Sequence, residues 1–262
     1  MRAIDFRQKK ELGQKISMVT CYDFWSAQII QESDIDCILV GDSLAMIMHG
    51  FPNTIPATVE MIESHVRSVC RGAPEKFVVA DMPFLTARAG VVRAISAVDA
   101  LLKAGAQAVK IEGVTGHQET IQHLVQSGVP VMGHLGLTPQ SIHQLGGFKV
   151  QGKEPAEARR LVNQAKEIEE AGCFSLVLEC IPSSVASEIS AQLVIPTIGI
   201  GAGAGTDGQV LVLHDLLGLT SKFEAKFVRK YLKGRELILD ALQRFDSDLK
   251  NGHFPSEEES YK

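Results

Sequence analysis

No stretch of this 262-residue chain reaches the roughly 18–20 consecutive apolar residues needed to cross a bilayer, so no membrane partner is expected. Positive charge is also short, with 26 Lys and Arg against 31 Asp and Glu. No Lys/Arg cluster is interleaved with aromatics, which excludes a nucleic-acid footprint. Cysteines are few, and the five present (Cys21, Cys37, Cys70, Cys173 and Cys180) are scattered, mostly within apolar runs. Their odd number and the lack of any CxxC spacing argue against disulfides and zinc and for reduced thiols in a cytosolic protein. The N-terminus has Lys and Arg but also Asp5 and Glu11, with no apolar run behind them, so a signal peptide is not expected.

What the chain does have is apolar content ample for a large core, arranged in eight short runs. These are residues 16–20, 37–40, 77–80, 108–112, 129–133, 175–179, 197–200 and 210–213, and each reads as a buried strand. Segments with helical spacing lie between them. In 156–171, Leu161, Val162, Ala165 and Ile168 share one face while Glu157, Lys166, Glu167 and Glu170 face out. Gly105, Gly128 and Gly172 stand just before strands, where C-terminal helix caps belong. Strand and helix alternate eight times, and the length suits one (β/α)8 TIM barrel. The expectation is a single barrel domain over 1–262, with an amphipathic helical extension from about 222 to 249 that packs on the barrel or on another subunit. A doubly wound sheet would also alternate, but it less readily places polar groups on so many successive strand ends.

Those strand ends carry the chemistry. Asp42, Asp81, Lys110 and Glu112 close three successive runs, at the face where a parallel barrel assembles its active site. Asp42 and Asp81 would each also serve as a turn or capping acid. On an extended strand Lys110 and Glu112 share a face, and charges at such positions need partners. Acids from strands about 4.8 Å apart can converge on one ion, and all-oxygen ligands suit Mg2+; an ion-pair cluster around Lys110 is the alternative. Glu179 ends its run in an apolar setting, as a general base or as a loop acid. His134 follows Gly133 at another strand end, as a hydrogen-bond donor to substrate or as an interior histidine. The 199–204 segment GIGAGA matches the loose dinucleotide pattern but leads through Thr206-Asp207-Gly208-Gln209 directly into a strand. Without a helix to receive a pyrophosphate, it reads instead as a loop letting backbone approach a ligand.

Several segments together resemble the ketopantoate hydroxymethyltransferase family. They are Val40-Gly41-Asp42-Ser43, Ala80-Asp81-Met82-Pro83-Phe84, Val109-Lys110-Ile111-Glu112-Gly113, Gly133-His134-Leu135-Gly136-Leu137-Thr138-Pro139-Gln140, Gly147-Phe148-Lys149-Val150-Gln151-Gly152, Leu178-Glu179-Cys180-Ile181-Pro182 and Gly199-Ile200-Gly201-Ala202-Gly203. Their order is that of the family from Ile16 to about Leu219. The resemblance implies transfer of a hydroxymethyl group from 5,10-methylenetetrahydrofolate to 3-methyl-2-oxobutanoate through a Mg-stabilised enolate, giving ketopantoate in pantothenate biosynthesis. It implies Asp42 and Asp81 as Mg2+ ligands, Glu112 as an acid at the metal acting directly or through water, Ser43 and Lys110 as keto-acid contacts, and Glu179 as the base. It also implies a homo-oligomer, often a decamer.

The chain departs from the family pattern at Ala45, where Gly is usual, at His49, at Leu85-Thr86-Ala87 and at Val114. None is a proposed ligand or the base; all bear on loops over the site. The alternative is a Mg-dependent lyase or mutase of the phosphoenolpyruvate and isocitrate lyase type. Those enzymes carry a Cys in a Lys-Lys-Cys-Gly-His type loop, and this sequence has none. A noncatalytic barrel would not need Lys110, Glu112 and Glu179 together.

Overall fold

The apolar runs are too short for stable helices and are bounded by turn residues, so they pair side by side as staves of a barrel. A computed structural model, describing residues 1–220 and 225–261, gives the order α1 (Ala3–Glu11), β1 (Ile16–Thr20), α2 (Phe24–Gln31), β2 (Cys37–Val40), α3 (Leu44–Ile47), α4 (Val59–Gly72), β3 (Phe77–Asp81), α5 (Val91–Lys103), β4 (Ala108–Glu112) and α6 (Gln118–Gln126). There follow β5 (Val131–Gly136), α7 (Ile142–Leu145), α8 (Pro155–Glu170), β6 (Ser175–Glu179), α9 (Ser183–Gln192), β7 (Thr197–Ile200), β8 (Gly208–Leu211), α10 (Leu213–Leu216) and α11 (Gly234–Lys250). The strands pair in parallel in chain order, and β8 closes on β1. No described helix is long and apolar enough to cross a membrane.

The expected barrel is present, with local corrections. β5 starts two residues later than expected, because Pro130 has no N–H for the ladder, and runs on to Gly136, which pairs with Glu179. His134 is therefore inside the strand. β8 starts at Gly208 because pairing with Ile16 begins there, and Leu213 already opens α10. β7 passes to β8 through 201–207 with no helix, so the alternation is incomplete at this link. The glycines of that loop make room for α9: a Cβ on Gly203 would lie 2.5 Å from Ser183 Cβ, and one on Gly205 2.0 Å from Ser187 Oγ.

Alternate strand residues turn inward, as a period of two requires. Ile16, Met18, Cys37, Leu39, Phe77, Val79, Ala108, Met132, Val177, Ile198 and Val210 fill the interior together with Phe6. Phe6, from α1, meets Phe77 at 5.5 Å and Phe174 at 5.0 Å, both edge-on. Two lysines of the same helix fix it at the N-terminal ends of the strands. Lys9 pairs with Asp36, just before β2, and Lys10 with Asp207, just before β8, at 3.0 Å. The barrel is thereby closed at the end opposite its charged tips.

The described residues divide into two units, Met1–Leu211 and Val212–Lys262. In the second, the expected helix start at Lys222 lies outside the described residues, and α11 begins only at Gly234. The residues before it spend their backbone donors elsewhere: Tyr231 N–H bonds to Leu216 O and Gly234 N–H to Leu217 O. Leu237, Ile238, Leu242, Phe245 and Leu249 of α11 are exposed.

Asp36 gives a pH test of the closed end. Burial favours its neutral form, but hydrogen bonds from Lys9 and Ser17 outweigh burial and hold its pKa below the ordinary value. A depressed folded pKa means stability present above the unfolded value of about 4 and lost as pH falls through the folded one. Thermal melts should show Asp36→Asn less stable than wild type at pH 7, with the gap closing toward pH 3.

Candidate active site

Beyond the apolar layers, the same inward rows continue as charged groups. Asp81 follows Val79 on β3, Lys110 and Glu112 follow Ala108 on β4, His134 follows Met132 on β5, and Glu179 follows Val177 on β6. Asp42 joins from the turn after β2. All but Glu179 are buried, and Glu179 is partly open.

The groups form a connected set. The Asp42 N–H donates to Asp81 Oδ2 at 2.9 Å, and Lys110 Nζ pairs with Asp81 Oδ1 at 2.8 Å. Lys110 Nζ also lies 3.2 Å from His134 Nδ1. His134 stands between two acids, with Nδ1 3.5 Å from Glu112 Oε1 and Nε2 3.1 Å from Glu179 Oε2. Through His134, Glu179 reaches a cluster that strand spacing alone places too far around the ring. Ser43 sits beside this chain, its Oγ 2.7 Å from the buried Tyr22 hydroxyl.

Electrostatics follow from burial and sign. Burial first, then the charges of Asp81 and Glu112, push the Asp42 pKa well above the usual carboxylate range. Burial likewise raises Asp81, although Lys110 opposes it. Burial would discharge Lys110, but Asp81, Glu112 and Asp42 outweigh it and hold the ammonium above its ordinary value. For His134, burial and Lys110 act downward while the carboxylates of Glu112 and Glu179 act upward, leaving it raised to about 9.

Sequence reasoning missed Gln140, which organises the cluster. Its backbone N–H donates to Glu112 Oε2 at 3.1 Å, and its Nε2 to Asp42 Oδ2 at 2.8 Å and to Met82 O at 2.9 Å. In the sequence Gln140 appears only at the end of the family-like segment 133–140, without a role of its own; its place directly after the β5 tip was the available signal. Tyr22, behind Ser43, gave no sequence signal of its own.

Glu179 is aimed by its backbone surroundings. Gly136, at φ +97, packs so closely that a Cβ would lie 2.1 Å from the Glu179 carbonyl oxygen. Cys180, the next residue along, is held at φ 47, in the left-handed region that side chains other than glycine rarely adopt.

The donor set fits a hard divalent cation. Asp42, Asp81 and Glu112 are buried carboxylates with one lysine and one histidine among them, and Glu112 Oε1 accepts no hydrogen bond. Burial, then mutual repulsion, pushes the Asp42 and Asp81 pKa values up, and a cation would relieve both. Among the described residues, however, no three Asp, Glu, His or Cys groups stand ready to hold a metal. Glu112 is turned to Gln140 and His134 rather than to the aspartates. Asp42 and Asp81 are the pair present, and Mg2+ commonly takes one or two carboxylates and completes its shell with water and substrate oxygens.

The fold has counterparts among solved structures. A phosphoenolpyruvate phosphomutase from Streptomyces platensis subsp. rosaceus superposes with a TM-score of 0.65 at 14% identity, covering 96% of this chain and 88% of the other. A phosphonopyruvate hydrolase solved with oxalate and Mg2+ gives 0.64 at 11% identity, covering 99% and 93%. At such identities the likeness is one of fold. In sequence, the model for ketopantoate hydroxymethyltransferase matches residues 1–257. The 3-methyl-2-oxobutanoate hydroxymethyltransferase of Coxiella burnetii (strain CbuG_Q212) is 55% identical over 97% of this chain and 96% of its own. That of Legionella pneumophila (strain Lens) is 53% identical over the whole of both. Matched almost end to end by the family's pattern, and sharing over half its residues with relatives of that name, the chain belongs to the ketopantoate hydroxymethyltransferase family.

Proposed function

We propose that this protein transfers a hydroxymethyl group from 5,10-methylenetetrahydrofolate to 3-methyl-2-oxobutanoate, giving ketopantoate in pantothenate biosynthesis. The observation that carries the reading, beside family membership, is Glu179 held 3.1 Å from a buried histidine that also touches the Asp42, Asp81, Lys110 and Glu112 cluster. A base and a site for negative oxygens thus face one small space.

Asp42 and Asp81 would hold Mg2+, with Glu112 contributing directly or through a water. When bound, the ion supplies Lewis acidity toward the keto and carboxylate oxygens of the substrate. The chain's own groups do the rest. Lys110 sets a fixed positive charge beside those oxygens, and Ser43, backed by Tyr22, offers a hydroxyl to the substrate carboxylate. Glu179 takes the proton from C3 of the keto acid, and the C–H electron pair becomes the nucleophile that attacks the methylene carbon of the donor. His134, close to Glu179 Oε2, orients that carboxylate for the task. Both C–N bonds of the donor's methylene carbon break in the transfer; water supplies the product's hydroxyl, and its other proton with the one taken from C3 goes to the two nitrogens of the departing tetrahydrofolate.

Ketopantoate formation from the two substrates with Mg2+ tests the assignment. For the base, the C3 proton of 3-methyl-2-oxobutanoate should exchange in D2O without folate, read by proton NMR. Glu179→Gln should still bind keto acid while exchange slows by about 10²- to 10⁴-fold. Exchange that persists in the variant would move the role to another group, His134 first.

Lys110→Met should weaken keto-acid binding and also leave Asp81 buried and unpaired, a loss of about 3–5 kcal/mol in urea unfolding. Adding Asp81→Asn should restore part of that stability but not the binding. Normal keto-acid affinity in Lys110→Met would make the lysine a structural counter-charge alone.

A further inference from the structure

Away from the carboxylates, two histidines meet beside the segment that follows Ser43. His49 comes after α3 and His65 lies on α4, and their Nε2 atoms are 3.1 Å apart. The rings meet edge to face, centroids 5.4 Å apart at 90°. The chemistry proposed above uses neither residue. His49 is also one of the positions at which the chain departs from the family pattern.

Each ring is held by its other surroundings. His65 Nδ1 lies against the carbonyl oxygen of Tyr22, in the turn after β1. A carbonyl only accepts, so Nδ1 carries the hydrogen and Nε2 of the neutral ring keeps its lone pair. A metal-binding histidine is set up in the same way, its second nitrogen donating to a backbone carbonyl that fixes the tautomer. His49 lies over Phe51, ring centroids 6.4 Å apart and 26° from parallel. In the neutral pair His49 Nε2 therefore donates to His65 Nε2.

The spacing suits an ion. Two imidazole nitrogens at about 2.0–2.1 Å from one metal stand about 2.9 Å apart at a right angle and about 3.3 Å apart at the tetrahedral angle. The observed 3.1 Å falls between these. Because the two nitrogens point at one another, ligation also requires the His49 ring to turn, which an exposed side chain with a broad terminal torsion can do. Its Nε2 hydrogen passes to Nδ1 through solvent, which frees two lone pairs and leaves the charge of the protein unchanged. Among the described residues no group of three His, Cys, Asp or Glu is placed to hold a metal, so water fills the remaining positions.

We propose that His49 and His65 bind a borderline transition-metal dication such as Zn2+, at a site separate from Asp42 and Asp81. Imidazole suits Zn2+, Ni2+ and Cu2+, whereas Mg2+ prefers oxygen ligands and keeps its waters, so the two sites sort ions by hardness. An ion on this pair ties the segment after Ser43 to α4 and, through His65, to the turn after β1.

The test is calorimetric titration of Zn2+ into the full-length protein at saturating Mg2+. Wild type should take up one Zn2+ that Mg2+ does not displace. His49→Gln, a change at an exposed loop position, should weaken that uptake by more than the roughly ten- to hundred-fold that loss of a supporting partner costs, and His65→Gln should do the same. With Cu2+ as probe, electron paramagnetic resonance should show two ligating nitrogens in wild type and fewer in His49→Gln. Without Zn2+ the His49→Gln variant should melt with wild type, and added Zn2+ should raise the melting temperature of wild type alone. Zn2+ affinity unchanged in His49→Gln, or uptake that Mg2+ abolishes, places the ion on other groups and overturns the site. Wild type that takes up no Zn2+ overturns it as well. Should His49→Gln melt below wild type, the nitrogen count in wild type decides, and fewer than two contradicts the pair.

Discussion

Everything at the top of this barrel depends on keeping three carboxylates charged or shared in a place that water barely reaches. Removing an ion from water carries a penalty of several kcal/mol unless partners replace the lost solvation. Lys110 answers Asp81, His134 answers Glu112 and Glu179, and Gln140 donates to both Asp42 and Glu112. Asp42 accepts its side-chain hydrogen bond from the neutral Gln140 amide, and burial with the neighbouring acids pushes its pKa well above the usual range. The cluster is therefore short of positive charge, a lack that a hard cation would make good.

A cluster with this internal repulsion needs a scaffold that does not relax. The alternating apolar layers of the eight strands provide it, and α1 closes the opposite end with Phe6 in the core and Lys9 and Lys10 clamped to Asp36 and Asp207. Separation of stability at one end from chemistry at the other is the usual division of labour in parallel barrels. Where the two meet, backbone details shape the strand end: Gly136 lets the Glu179 carbonyl approach, and Cys180 carries a left-handed turn immediately after Glu179.

The sequence made the strand tips legible because burial and charge conflict there: Lys110 and Glu112 two apart in an apolar run admit few explanations. The apolar face of α8 was legible from its spacing, and Leu161, Val162, Ala165 and Ile168 are buried as foreseen. Other features were set by long-range geometry that local pattern does not encode. Gln140 contacts Asp42 from 98 positions away. Gly203 and Gly205 accommodate α9, a packing relation between loop and helix that composition leaves open. α11 starts later than its amphipathic pattern suggests because Tyr231 and Gly234 bond to the carbonyls of Leu216 and Leu217.

The central claim is that the buried acid cluster is completed by a divalent cation held through Asp42 and Asp81. Calorimetric titration of Mg2+ into the folded protein, repeated in buffers of differing ionisation enthalpy, measures it most directly. Wild type should bind Mg2+ and release protons as it does so, because burial and the neighbouring acids raise the Asp42 pKa and the ion favours the ionised carboxylate. Asp42→Asn and Asp81→Asn should keep the fold and bind far more weakly, each having lost a ligand charge. Unchanged Mg2+ affinity in both variants, with no proton released by wild type, would contradict the account.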